Sequence, residues 1–163
     1  MNILDYAMEF EQDSETYYRG LAERTSLPGL KKILVMLADE EVKHYTIIKN
    51  LAENVTQEFP DSDIIMNVIT IFSELQKENR KSKVVIEKPE VEIYRKALEF
   101  EAKSRDFYKE RAAEAGSEAE RAILMKLAEE EQKHYRLVEN LIEFTRRPDT
   151  WLEDAEFHHL EEY

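Results

Sequence analysis

Cysteine is absent from all 163 residues. That excludes disulfides, thiolate zinc sites, iron–sulfur clusters and a thiol nucleophile. Glycine and proline are scarce, at 3 and 4 residues, so the chain is rarely interrupted. Gly20, Gly29 and Gly116 cannot form a Gly-rich dinucleotide fingerprint. No apolar run approaches the roughly 20 residues of a membrane helix. The longest candidate, Ile64 to Phe72, is short and is interrupted by Asn67 and Thr70. Basic residues are outnumbered, 23 Lys and Arg against 36 Asp and Glu, for a formal net charge of -13. Nucleic acid and anionic membrane surfaces are therefore not expected as partners, because their charge repels this chain. The start, Met1-Asn2-Ile3-Leu4-Asp5, has neither the basic residues nor the apolar stretch of a signal peptide. A soluble, cytoplasmic protein is the expectation.

What is present points to helices. Charged residues make up 36% and hydrophobic residues 42%, and few segments alternate as a strand would, so long amphipathic helices are expected. The acidic excess serves solubility in its plainest reading. It also suits carboxylates that are balanced by bound metal cations.

The chain repeats itself. Ala7-Met8-Glu9-Phe10-Glu11 matches Ala97-Leu98-Glu99-Phe100-Glu101, and Ser14 and Tyr18 match Ser104 and Tyr108. Leu37-Ala38-Asp39-Glu40-Glu41-Val42-Lys43-His44-Tyr45 matches Leu127-Ala128-Glu129-Glu130-Glu131-Gln132-Lys133-His134-Tyr135. Every match has one offset, 90 residues, so both halves are the same helix–loop–helix unit with loops of equal length.

The spacing predicts four long helices. The first spans about Ile3 to Arg24, with a turn at Pro28-Gly29, and the second about Leu30 to Val55. The third starts near Pro89 and runs to Ala115, with Gly116 as its C-cap. The fourth starts at Ser117, with Glu120 completing a capping box, and ends near Arg147-Pro148. The fold class predicted is all-α, a four-helix bundle over residues 1–147 with internal repeats 3–55 and 93–145. One long crossover, 57–88, joins the second and third helices, as in ferritin-like folds. Within it, Ile65, Val68, Ile69 and Phe72 recur at helical spacing, which predicts an extra helix over the bundle. Val84-Val85-Ile86 reads as extended. Residues 148–163 form an acidic tail with Trp151, Leu152 and Phe157 as anchors.

A heptad register puts Leu4, Ala7, Glu11, Ser14, Tyr18 and Leu21 on the inner seam of the first helix. The second gives Leu34, Leu37, Glu41, His44, Ile48 and Leu51. The third gives Tyr94, Ala97, Glu101, Ser104, Tyr108 and Arg111. The fourth gives Leu124, Leu127, Glu131, His134, Val138 and Leu141. Each apolar seam is thus broken by a glutamate, and two also carry a histidine. Four carboxylates facing one another are costly when unpaired. Two divalent cations would offset their four charges, and oxygen and imidazole donors suit iron or manganese. Glu41-x-x-His44 and Glu131-x-x-His134 place both members on one face, one turn apart. A lone Glu-x-x-His usually lies on a solvated face, but here two copies coincide with two more seam glutamates. The candidate metal ligands are therefore Glu11, Glu41, His44, Glu101, Glu131 and His134. Ser14 and Ser104 leave room beside them. Glu9, Glu99, Glu40 and Glu130 fall outside the seam and read as solvated surface. Tyr18 and Tyr108 serve as core aromatics or as phenols bonded to a ligand glutamate. Tyr45 and Tyr135 read as packing residues, and His158 and His159 as surface.

These doubled blocks resemble the rubrerythrin-like branch of the ferritin-like di-iron carboxylate superfamily. The likeness covers the four helices but not the crossover or tail. It implies two iron ions per chain, with manganese or zinc as other occupants, held by the six residues named above. It also implies reduction of hydrogen peroxide or dioxygen with electrons from an external donor such as a rubredoxin-like protein, and a homodimer. Two departures stand out. Rubrerythrins proper carry a four-cysteine rubredoxin-like domain, for which this chain has no cysteines. Their third helix also has a further glutamate where Ser104 stands. A ferroxidase or iron-handling role, a non-catalytic metal-binding role and a plain bundle with a polar core are the alternatives.

Overall fold

The computed structural model describes residues 2–86 and 91–153. Among them are six α-helices and no strand: α1 Ile3–Arg24, α2 Pro28–Ala52, α3 Ile64–Lys81, α4 Val91–Ala113, α5 Glu118–Arg146 and α6 Pro148–Glu153. Helix α1 packs mainly on α2, and α4 mainly on α5, so each repeat is a helical hairpin. The all-α bundle with one long crossover is therefore as expected. The expected start at Pro89, the anchor Phe157 and the histidines His158 and His159 lie outside the described residues.

Local chemistry sets the helix ends. Asn2 caps α1 by accepting from the Asp5 amide at 2.9 Å. Ser117 caps α5 by accepting from the Glu120 amide at 3.1 Å. Glu120 reaches back to the Gly116 amide at 3.3 Å, one residue earlier than in the usual capping box. Pro28 and Gly29 were expected in a turn but open α2 instead, because a proline at the first helical position loses no bond and already has helical φ. Gly116 does not act as a left-handed C-cap, since no glycine has positive φ among the described residues. Tight bonds from the Glu114 and Ala115 amides to the Arg111 and Ala112 carbonyls, each 3.2 Å, close α4 in its place.

The crossover holds the expected helix, α3, which buries Ile64, Val68, Ile69, Phe72 and Leu75. Residues 83–86 are irregular, in keeping with the extended reading of Val84 to Ile86. The segment expected as a tail opens with α6. Its Trp151 and Leu152 are buried, and Trp151 meets the Phe72 ring at 5.7 Å. The core forms two apolar clusters. One lies beneath α3 and α6 and includes Leu34, Leu37, Phe72, Leu141, Phe144 and Trp151. The other, smaller cluster includes Ala7, Ile48, Tyr108, Leu124 and Leu127. Between them, the four long helices of the bundle contribute a buried polar layer.

Candidate metal centre

The polar layer gathers all six expected residues, one or two from each long helix. Glu11 on α1, Glu41 and His44 on α2, Glu101 on α4, and Glu131 and His134 on α5 are each no more than 2% exposed. Donor atoms of Glu41, His44, Glu131 and His134 all lie within 4.8 Å of one another, close enough to hold a metal ion. Glu11 and Glu101 flank this group. Glu11 Oε2 is 3.8 Å from His44 Nδ1, and Glu101 Oε2 is 3.7 Å from His134 Nδ1. The two imidazoles stack with ring centres 5.3 Å apart and an 11° tilt.

The contacts cross between the repeats. His44 Nδ1 and Glu131 Oε1 share a 2.8 Å hydrogen bond, and His134 Nδ1 lies 3.3 Å from Glu41 Oε1. The Tyr18 hydroxyl donates to Glu101 Oε1 at 2.6 Å. Its repeat partner, the Tyr108 hydroxyl, donates to Glu11 Oε1. Of the two roles open to these tyrosines, the bonded one is therefore present along with core packing. Each tyrosine holds one carboxylate oxygen and leaves the other turned elsewhere.

Electrostatics follow from crowding. Burial, then the nearby Glu11 and Glu101 charges, push the Glu41 carboxyl well above its ordinary range. Burial, then Glu41 and Glu101, do the same to Glu131. Burial alone would raise Glu101, but the neighbouring Glu131 carboxyl, the His134 charge and the Tyr18 hydroxyl bring it down to about 2. Burial lowers His44. Burial opposes protonation of His134 too, yet its Glu101 neighbour raises it overall. Burial raises both tyrosines well above the ordinary phenol range, so both stay protonated as donors.

Even with those bonds, many buried polar atoms have no hydrogen-bond partner. They are Glu11 Oε2, Glu41 Oε1, His44 Nε2, Glu101 Oε2, Glu131 Oε2 and both nitrogens of His134. Orphaned buried atoms are rare because each loses its solvation without return. Here they come from the six side chains of one buried layer, four of which bring donor atoms within 4.8 Å of one another. Carboxylate and imidazole donors in that number fit divalent iron or manganese.

A rubrerythrin family model matches residues 2–142. The chain belongs to the rubrerythrin family. No curated protein and no solved structure matches it. The rubrerythrin match spans both repeats and every one of the six residues, and it ends within α5. The fold is accordingly the ferritin-like bundle. Among the described residues, no helix is long and apolar enough to cross a membrane.

Glu40 and Glu130 are not solvated: they are 6% and 7% exposed. The heptad places them beside the seam, but they meet each other and His134 between α2 and α5, and Ser62 of the crossover bonds Glu40. Both precede a seam histidine by four residues, and this doubled spacing could have drawn attention to them. Glu9 and Glu99 are exposed as expected. Arg111 is only half-buried, and the neighbouring Ala112 takes its inner place. Tyr45 and Tyr135 are half-buried, and Arg105 lies over the Tyr135 ring at 5.4 Å.

Proposed function

We propose that Glu11, Glu41, His44, Glu101, Glu131 and His134 hold two iron ions, and that the chain reduces hydrogen peroxide or dioxygen with electrons from an external donor. The observation that supports this is one buried layer in which six side chains leave oxygen and nitrogen atoms unpartnered and four of them bring donor atoms within 4.8 Å of one another. A ferrous pair held there would supply two electrons, the number that, with two protons, reduces one peroxide to two waters.

The chain's own residues do the rest. Tyr18 and Tyr108 each pin one oxygen of Glu101 and Glu11, so the free oxygens stay aimed inward without reorganisation. Glu41 and Glu131 tend to hold protons in the metal-free form and shed them to become ligands. The apolar clusters above and below exclude bulk water from the layer. Ser14 and Ser104, both buried, occupy little volume beside the glutamates and leave space for a small oxidant. None of these 163 residues is a cysteine, so a rubredoxin-type relay would lie outside them, and the electrons come from a donor such as a rubredoxin-like protein.

The test is a single-turnover titration of the ferrous-reconstituted chain. About two iron ions should bind per chain, and about one peroxide should be consumed per pair before reaction stops. A reduced carrier should restart consumption. Continued turnover without a carrier would overturn the donor-dependent reading. Fast reaction with dioxygen but none with peroxide would move the assignment to a ferroxidase.

A further inference from the structure

Two buried carboxylates stand outside the proposed ligand set. Glu40 and Glu130 are related by the same 90-residue offset as the ligands, and each lies one turn before a histidine of the centre. They meet across α2 and α5. One oxygen of each and a ring nitrogen of His134 lie within 4.8 Å of one another. His134 therefore belongs to two clusters, the inner one and this one. Two carboxylates so close repel each other when both are charged. Glu130 Oε2 is buried and has no hydrogen-bond partner.

The charge compensation around them is loose. Lys43 Nζ lies 3.4 Å from Glu40 Oε1, and Lys133 Nζ lies 3.2 Å from Glu130 Oε1. Those lysine side chains are 48% and 40% exposed, so both ammonium groups can swing into water at small cost. Ser62, in the segment that leads into α3, donates to Glu40 Oε1 at 2.8 Å and steadies that carboxylate.

We propose that Glu40 and Glu130, bordered by His134, form an outer cation site through which divalent metal reaches the inner centre. This rests on reading the inner six residues as metal ligands. Two carboxylate oxygens and one imidazole nitrogen are a suitable partial shell for a divalent first-row ion. Two displaced ammonium charges equal the charge of one such ion, so the exchange leaves the local balance unchanged. A neutral imidazole has one lone pair to donate, so His134 serves one cation at a time. An ion in the outer site is therefore held firmly only while His134 is not engaged inside. The arrangement passes ions inward and does not store them.

Cobalt(II) is the probe, because its visible absorption reports uptake into the chelator-stripped full chain. The E40Q/E130Q variant should load roughly tenfold more slowly, in line with the effect of focused charge on association rates. Its final stoichiometry and final spectrum should equal those of the wild type. E9Q/E99Q, which removes two exposed glutamates at the same offset, should load at the wild-type rate. K43M/K133M should load several-fold faster. If E9Q/E99Q slows loading as much as E40Q/E130Q does, bulk charge explains the effect and the proposal falls. If E40Q/E130Q changes the final spectrum, the pair shapes the inner site and is not an entry route. Should E40Q/E130Q fail to fold, K43M/K133M decides, and no acceleration there overturns the proposal. Wild-type chain that takes up no cobalt would sink the metal-centre reading itself. Wild-type uptake with unaltered rates in every variant would sink only the entry site.

Discussion

The apolar cluster beneath α3 and α6 and the polar layer next to it are equally buried, yet they act oppositely on stability. In the cluster, side chains complete one another: Phe72 meets Phe144 at 5.1 Å and Trp151 at 5.7 Å, edge to face. In the layer, seven polar atoms of the six central residues have no hydrogen-bond partner, and four carboxylates crowd together. Burial lowers the free energy of the fold in the first region and raises it in the second. The cluster therefore holds the helices at a spacing that the layer alone would not choose. Such held spacing is what a pre-formed ion site needs.

The sharpest way to break this contrast is Phe72→Ala. It should cost about 3–5 kcal/mol of unfolding free energy in urea, while metal stoichiometry stays at the wild-type value. Loss of metal binding along with stability would show that the two regions are not separable. The opposite sign is expected in the layer. E41Q/E131Q keeps the shape of the protonated carboxyls and removes their charge. At about pH 8 the metal-free variant should be more stable than metal-free wild type, by about 1–4 kcal/mol, and should have lost metal affinity. A metal-free variant less stable than wild type would mean that these carboxylates contribute to the fold without a cation.

Smaller effects sharpen the repeat symmetry. Tyr18→Phe and Tyr108→Phe each remove one buried hydrogen bond to a glutamate. Each should cost about 1–2 kcal/mol in metal-free protein, and the two losses should match. Unequal losses would show that the halves have diverged at the centre.

The most gradual effect is the pH slope of the metal-free chain above about pH 6.5. Glu41 and Glu131 have raised folded values, so the stability they contribute is complete below the ordinary carboxyl range and is lost as pH rises through the raised values. His134, also raised, acts in the same direction. His44 is lowered, so its contribution is lost only as pH falls below the ordinary imidazole value. Glu101, lowered to about 2, loses its contribution only as pH falls from the ordinary carboxyl range toward that value. Unfolding free energy should therefore fall from about pH 6.5 to about pH 8, by at most about 1.4 kcal/mol per pH unit for each proton involved. Saturating metal should flatten the slope, because metal replaces those protons. A slope of the reverse sign would refute the crowded-carboxylate picture.

Much of this molecule can be read in one dimension. The 90-residue offset, the helical spacing of apolar residues and the interruption of each seam by a glutamate identify the bundle, its crossover helix and the six central residues. They are legible because helix periodicity is local: a residue's face follows from its neighbours three and four positions away. Tertiary structure alone decided the rest. Whether Glu40 and Glu130 meet water depends on their meeting each other and His134 across α2 and α5, and on Ser62 of the crossover reaching Glu40. That Tyr18 bonds Glu101, and Tyr108 bonds Glu11, depends on the two hairpins packing with their repeats crossed. Burial of Trp151 and Leu152 depends on α6 turning back over α3 and α5. Each of these joins residues far apart in the chain, and periodicity carries no information about distances between helices.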